Sequence, residues 1–70
     1  LRLLHKAIDK LPPQTREIIL LGLDGNNNNE IAERLNISVN TVKTLKKGAY
    51  KKLKDTLRKD FIFVLALLMG

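Results

Sequence analysis

Lys43, Thr44 and Lys47 are the residues of this chain whose types and spacing suit recognition chemistry. On a helix these three positions fall within about 100° of arc and so share one side. A lysine placed there can donate to N7 and O6 of guanine. A threonine can donate, accept, or touch the methyl group of thymine. Ser38, Asn40, Thr41, Lys46 and Lys51 surround them. Those side chains suit phosphate oxygens, contacts that set register and not sequence. The chemistry implied is the reading of duplex base edges, with neutralisation of the flanking backbone.

Bond-making chemistry has no comparable set of residues. His5 is the only histidine, and it stands beside Lys6. Ser38 has no neighbouring base, and a role as a helix cap accounts for it. Glu30 and Glu33 lie on one helix without a third ligand to complete a metal site. There is no cysteine, which excludes disulfides, thiolate metal sites and cysteine nucleophiles. Gly22 and Gly25 do not have the spacing of a phosphate-cradling loop. The sequence therefore predicts no enzyme, no catalytic residue, no metal and no cofactor.

The elements that must position these residues follow from the sequence on either side. Asn27 to Leu35 predicts a short helix, with Asn27 as its N-cap and Glu30 as the N3 partner of a capping box. Ile31, Ala32 and Leu35 form its inner stripe. Asn36-Ile37-Ser38 predicts a tight turn. Ser38 then caps a long helix, Val39 to Lys59, its hydroxyl accepting from the N–H near Thr41. Two helices joined by a three- to four-residue turn make a helix-turn-helix. On the long helix, Val42, Ala49, Leu53 and Leu57 fall within about 80° of arc. Asn40, Lys43, Thr44, Lys47, Lys51, Lys54 and Arg58 span about 100° on the other side. Tyr50 falls near the edge of the apolar stripe, which predicts packing, with a phosphate contact through its hydroxyl as the alternative. Gly48 costs this helix roughly 1 kcal/mol relative to alanine.

Ahead of this motif, Leu1, Leu4, Ala7, Ile8 and Leu11 recur at helical spacing. Pro12-Pro13 ends that helix, because a residue before proline avoids the helical region. Pro13 opens a second helix, where its missing N–H costs nothing. This helix runs through Leu21, weakens at Gly22, and has Gly25 as its left-handed terminator. Behind the motif, Phe61 to Met69 is wholly apolar but only nine residues long. A membrane-spanning helix needs roughly 20, so no membrane partner is expected. The stretch reads as a short helix from Asp60 that packs on Leu1, Leu4 and Ile8. It could instead serve as a docking segment, and in a fragment it could pair two copies. Leu1 in place of a starting methionine predicts that the chain is cut from a longer protein.

Seventy residues make one small domain, which buries only about 60% of its unfolded surface. Residues 1 to 35 hold five basic and five acidic side chains; residues 36 to 60 hold eight basic ones against Asp55 and Asp60. The whole net charge of +6 therefore sits on the second helix of the motif and its extension. Such asymmetry favours a polyanionic partner. The fold expected is all-α: four helices with a helix-turn-helix over residues 1–60, in the manner of the winged-helix-like DNA-binding superfamily but without a wing. The short apolar segment, residues 61–70, follows.

The run Leu11-Pro12-Pro13-Gln14-Thr15-Arg16-Glu17-Ile18, followed by Glu30-Ile31-Ala32-Glu33-Arg34-Leu35-Asn36-Ile37-Ser38-Val39-Asn40-Thr41-Val42-Lys43-Thr44, resembles region 4 of sigma-70 family factors. Within that family it is most similar to the extracytoplasmic-function type. The resemblance covers about residues 1 to 59. It implies binding of the −35 promoter element in the bacterial cytoplasm, docking on the beta flap of RNA polymerase, and masking by an anti-sigma factor. The family's groove-facing positions fall on Lys43, Thr44 and Lys47. The second half of the pattern is shared with LuxR-type response regulators, an alternative that the extra helix before Pro12-Pro13 disfavours. A mainly protein-interacting module that uses the apolar tail is a further alternative. Three positions depart from the pattern: Leu45 stands where a polar residue is usual, Gly48 where arginine is common, and Asn26 where an apolar residue would staple against Ile31. The last predicts a fraying start to the third helix.

Overall fold

Helices begin and end in this chain where its prolines, glycines and asparagines dictate. The computed structural model describes residues 2–56. It is all-α, with α1 over Arg2–Asp9, α2 over Pro13–Leu23, α3 over Asn28–Leu35 and α4 over Val39–Thr56. The expected continuation of the last helix through Leu57 and Arg58 to Lys59, the apolar stretch Phe61 to Met69, and Leu1 lie outside the described residues.

α1 closes in a turn, with the Leu11 N–H donating to the Ile8 carbonyl at 3.0 Å. Pro12 is extended, and Pro13 is the first residue of α2. The Arg16 guanidinium donates to the Asp9 carbonyl at 3.3 Å, joining the end of α1 to the first turn of α2. α2 ends at Gly25, whose φ of 98° is left-handed. The Asn26 N–H reaches back to the Leu21 carbonyl at 3.0 Å and the Gly25 N–H to Gly22 at 3.1 Å. This is a Schellman closure, which satisfies carbonyls that the helix leaves open.

α3 starts without the apolar staple but does not lose its first turn. The Asn26 side-chain amide donates to the Leu21 carbonyl at 3.0 Å, a polar anchor in place of the apolar one. The capping box holds the helix start. Asn27 Oδ1 accepts from the Glu30 N–H, and Glu30 Oε1 accepts from the Asn27 N–H, both at 2.8 Å. α3 ends as α2 does. Asn36 takes the left-handed conformation at φ 55°, and the Ile37 N–H reaches the Ala32 carbonyl at 3.0 Å. Asparagine is one of the few residues with a side chain that tolerates this geometry.

The core has two centres. Ala7, Ile8, Leu11, Ile19, Ala49 and Leu53 form one, with Leu4 packed against it. Ile18, Ile31, Ala32 and Val42 form the other, flanked by Leu21, Leu35, Ile37, Val39 and Leu45. α2 serves both through consecutive side chains, Ile18 to one centre and Ile19 to the other, because successive helical residues point about 100° apart. α4 serves both along its length, Val42 in one centre and Ala49 with Leu53 in the other. Ile18, Ile31 and Val42 are each 0% exposed.

Two stability predictions follow from these contacts. Asn27→Ala removes one half of the capping box and should cost about 1 kcal/mol, lowering the midpoint of thermal unfolding by about 4–8 °C. Gly48→Ala should act in the opposite sense. Gly48 is inside a helix, and a Cβ built there meets no atom within 4 Å. The substitution should stabilise by about 0.5–1 kcal/mol through the lost freedom of the unfolded chain. Melts followed by circular dichroism check both, and a lower midpoint for Gly48→Ala would refute the second.

Candidate nucleic-acid interface

Ser38 fixes where α4 begins. Its Oγ accepts from the Thr41 N–H at 3.0 Å and lies 2.8 Å from the Thr41 hydroxyl. The first carbonyl of the helix, that of Ser38, takes the Val42 N–H at 3.1 Å. With Val42 locked inward, the residues set about 100–200° around the helix from it must point outward. Asn40, Lys43, Thr44, Lys47 and Lys51 are all exposed. Their side chains have no hydrogen-bond or ion-pair partner among the described residues. No large apolar side chain interrupts this arc.

The dimensions suit a groove. An α-helix with its side chains is about 10–12 Å across, and the major groove of B-form DNA is about 12 Å wide. Lys43 and Lys51 lie about 12 Å apart along the axis at 1.5 Å per residue, with Lys47 between them. Ammonium groups at that spacing can meet successive acceptors on one duplex face. The Ser38–Thr41 hydroxyl pair and Asn40 stand at the amino end of α4, where the helix macrodipole favours anions.

Of the eight residues selected from the sequence, seven are exposed: Ser38, Asn40, Thr41, Lys43, Thr44, Lys47 and Lys51. Lys46 is different. It is half-buried, and its Nζ donates to Asn28 Oδ1 at 2.5 Å. The helical angle accounts for this, since Lys46 lies only about 40° from Val42, on the apolar side. That angle was legible in the sequence; the partner, 18 residues away, was not.

Tyr50 corrects the expectation of packing, because it is 57% exposed. It lies about 80° from Val42, beyond the reach of the stripe. Leu45 is half-buried against the centre that holds Val42. Its apolar character therefore belongs to the core and takes no base contact away from the exposed arc. Lys52 and Lys54 are exposed further along α4, while Arg58 lies outside the described residues.

A shallow groove of about 390 Å³ runs beside the exposed arc, between Leu11, Pro12 and Thr15 on one wall and Thr44, Gly48 and Lys52 on the other. It brings the α1–α2 turn alongside the recognition face, a proximity the sequence does not announce. Among the described residues, no three His, Asp or Glu side chains gather to hold a metal ion, and no helix is long and apolar enough to cross a membrane.

The model of the family described as "Sigma-70, region 4" matches residues 1–53, from α1 to the last buried leucine of α4. No curated protein and no solved structure gives a significant match. The matched span includes α1 and α2 as well as the helix-turn-helix, and so separates this chain from regulators that share the second half alone. With its cationic, unpaired recognition side and its family match over residues 1–53, the chain belongs to the sigma-70 region 4 family, the promoter-binding, polymerase-associated domain of sigma factors.

Proposed function

We propose that this domain reads the −35 element of promoters as the C-terminal part of an alternative, extracytoplasmic-function type sigma factor, with α4 in the major groove. The observation that carries the reading is the single exposed arc of α4, which collects Lys43, Thr44, Lys47 and Lys51 opposite Val42, Ala49 and Leu53. Lys43, Thr44 and Lys47 contact base edges. Ser38, Asn40, Thr41 and Lys51 hold the flanking phosphates. Lys46 is engaged on Asn28 and is not counted among the phosphate contacts.

The docking surface for the polymerase beta flap lies on α2. Leu20 and Leu23 are 42% and 55% exposed and border a hollow with His5, Glu17 and Asp24. No residue of α4 lines that hollow, so a polymerase element seated there would leave the recognition arc free for DNA. Residues 1–60 act as the DNA-binding unit in this reading. The site of action is the bacterial cytoplasm.

Selection of bound duplexes from a random pool, using the full-length protein with core polymerase, tests the reading; a pool that emerges without a shared −35-like motif would overturn it. In the same assay Lys47→Ala should cost about 1–3 kcal/mol and relax preference at one base pair. Lys51→Ala should weaken all sequences alike. With about four to six phosphates neutralised, log affinity should fall against log salt with a slope of roughly −4 to −5. Leu20→Glu combined with Leu23→Glu should reduce association with core polymerase while leaving duplex affinity of the chain unchanged, as measured by pull-down and by fluorescence anisotropy.

A further inference from the structure

Three features beyond the exposed arc have the strongest claim to a further role: the apolar patch on α2, the groove beside the α1–α2 turn, and the inward lysine of α4. Polymerase docking already absorbs the first. No feature of the structure identifies an occupant for the second. The third has a defined geometry and carries an inference.

Lysine is rarely drawn off a protein surface unless something holds it. Lys46 stands on the recognition helix between two outward lysines, Lys43 and Lys47, yet it is half-buried. Its Nζ donates to Asn28 Oδ1 at 2.5 Å. Asn28 is the first residue of α3, directly after the Asn27 cap, and is itself half-buried. The third side of the niche is the end of α2, where the Cε and Nζ of Lys46 lie 3.9 Å from the position a Gly22 Cβ would occupy. One ammonium thus bonds the first residue of α3 from its stem on α4, beside the last turn of α2. The negative end of the α2 macrodipole favours the charge.

The position has a mechanical consequence. α3 and α4 are joined at one end by the Asn36-Ile37-Ser38 turn and the apolar contacts of Ile31 with Val42. Among the described residues, the hydrogen bond from Lys46 is the one side-chain bond between α3 and α4. The Lys46–Asn28 contact ties them again, about one helical turn further along α4 than Val42 and at the opposite end of α3 from the turn. We propose that Lys46 is a positioning residue: its bond to Asn28 fixes the angle at which α4 leaves the helix-turn-helix and so aims Lys43, Thr44 and Lys47 at base edges. Asn28, far from the arc itself, becomes a determinant of specificity without touching DNA. This role rests on the promoter-reading function proposed above.

Five forms of the full chain test it: wild type, Lys46→Met, which keeps the aliphatic stem, Asn28→Ala, the double variant of these two changes, and Asn28→Asp. Each is melted, and each is titrated with the selected and a scrambled duplex over a salt series. The two single changes should shift the melting midpoint non-additively, since they remove one contact. Both should lower the preference for the selected duplex by about tenfold, the equivalent of one mismatched base pair. The double variant should be no worse, and the salt slope should stay unchanged throughout. Asn28→Asp, which retains an acceptor for the ammonium, should restore discrimination.

A phosphate contact predicts otherwise. Lys46→Met alone would then make the slope shallower by about 0.9, and Asn28→Ala would bind like wild type; either result overturns the proposal. Additive melting shifts would also overturn it. Should Lys46→Met fail to fold, Asn28→Ala, which leaves α4 untouched, decides the matter by its discrimination alone. A wild-type chain that binds all duplexes alike would instead refute promoter reading, and the aiming role with it. That result is distinct from a discriminating wild type whose variants are additive.

Discussion

The inward commitment of Val42 is the constraint on which the rest of this domain depends. It is completely buried against Ile18 and Ile31, and those three side chains come from α2, α3 and α4. Once Val42 points to that centre, every other residue of α4 has its direction assigned by the helical repeat. Ala49 and Leu53 fall into the second centre, against Ala7, Ile8, Leu11 and Ile19. Lys43, Thr44, Lys47 and Lys51 are left with solvent. The recognition face is therefore the complement of the core and could not be moved without dismantling it.

The domain is small, and it meets that limitation by using each helix twice. α2 places adjacent isoleucines in different centres. α4 carries packing along one side and charge along the other. A core so thin tolerates little uncertainty at helix ends, and the ends of α2 and α3 and the starts of α3 and α4 each have a hydrogen-bonded device. Gly25 and Asn36 provide the left-handed residues for two Schellman closures, while Asn27 with Glu30 and Ser38 with Thr41 provide the two starts. The asparagine run 26–29, which could pass for a floppy linker, has a separate task for three of its members. Asn26 anchors to the Leu21 carbonyl, Asn27 caps α3, and Asn28 meets Lys46.

Electrostatics divide the chain along the same line as packing. Residues 1–35 carry no net charge and residues 36–60 carry all six excess positive charges. The neutral half presents the apolar Leu20 and Leu23, suited to a protein partner. The cationic half presents unpaired lysines, suited to a polyanion. A domain that must hold polymerase and promoter together needs these two surfaces to be chemically unlike, so that neither partner competes for the other's place.

The helices, their caps and the recognition arc were legible in the sequence because they depend on local periodicity and on residues with strong backbone preferences. Pro13, Gly25, Asn27 and Ser38 each mark a boundary that backbone sterics or a cap hydrogen bond enforces within a few residues. The outward set of α4 follows from a period of 3.6. What only the tertiary structure decided depends on contacts between distant elements. The helical angle turns Lys46 inward, but the partner it meets, Asn28, stands beside it in space and not in sequence. Tyr50, just past the edge of the apolar stripe, is left 57% exposed. Local order is written in short-range preferences, whereas a side chain near the edge of an apolar stripe goes in or out according to what another helix offers it.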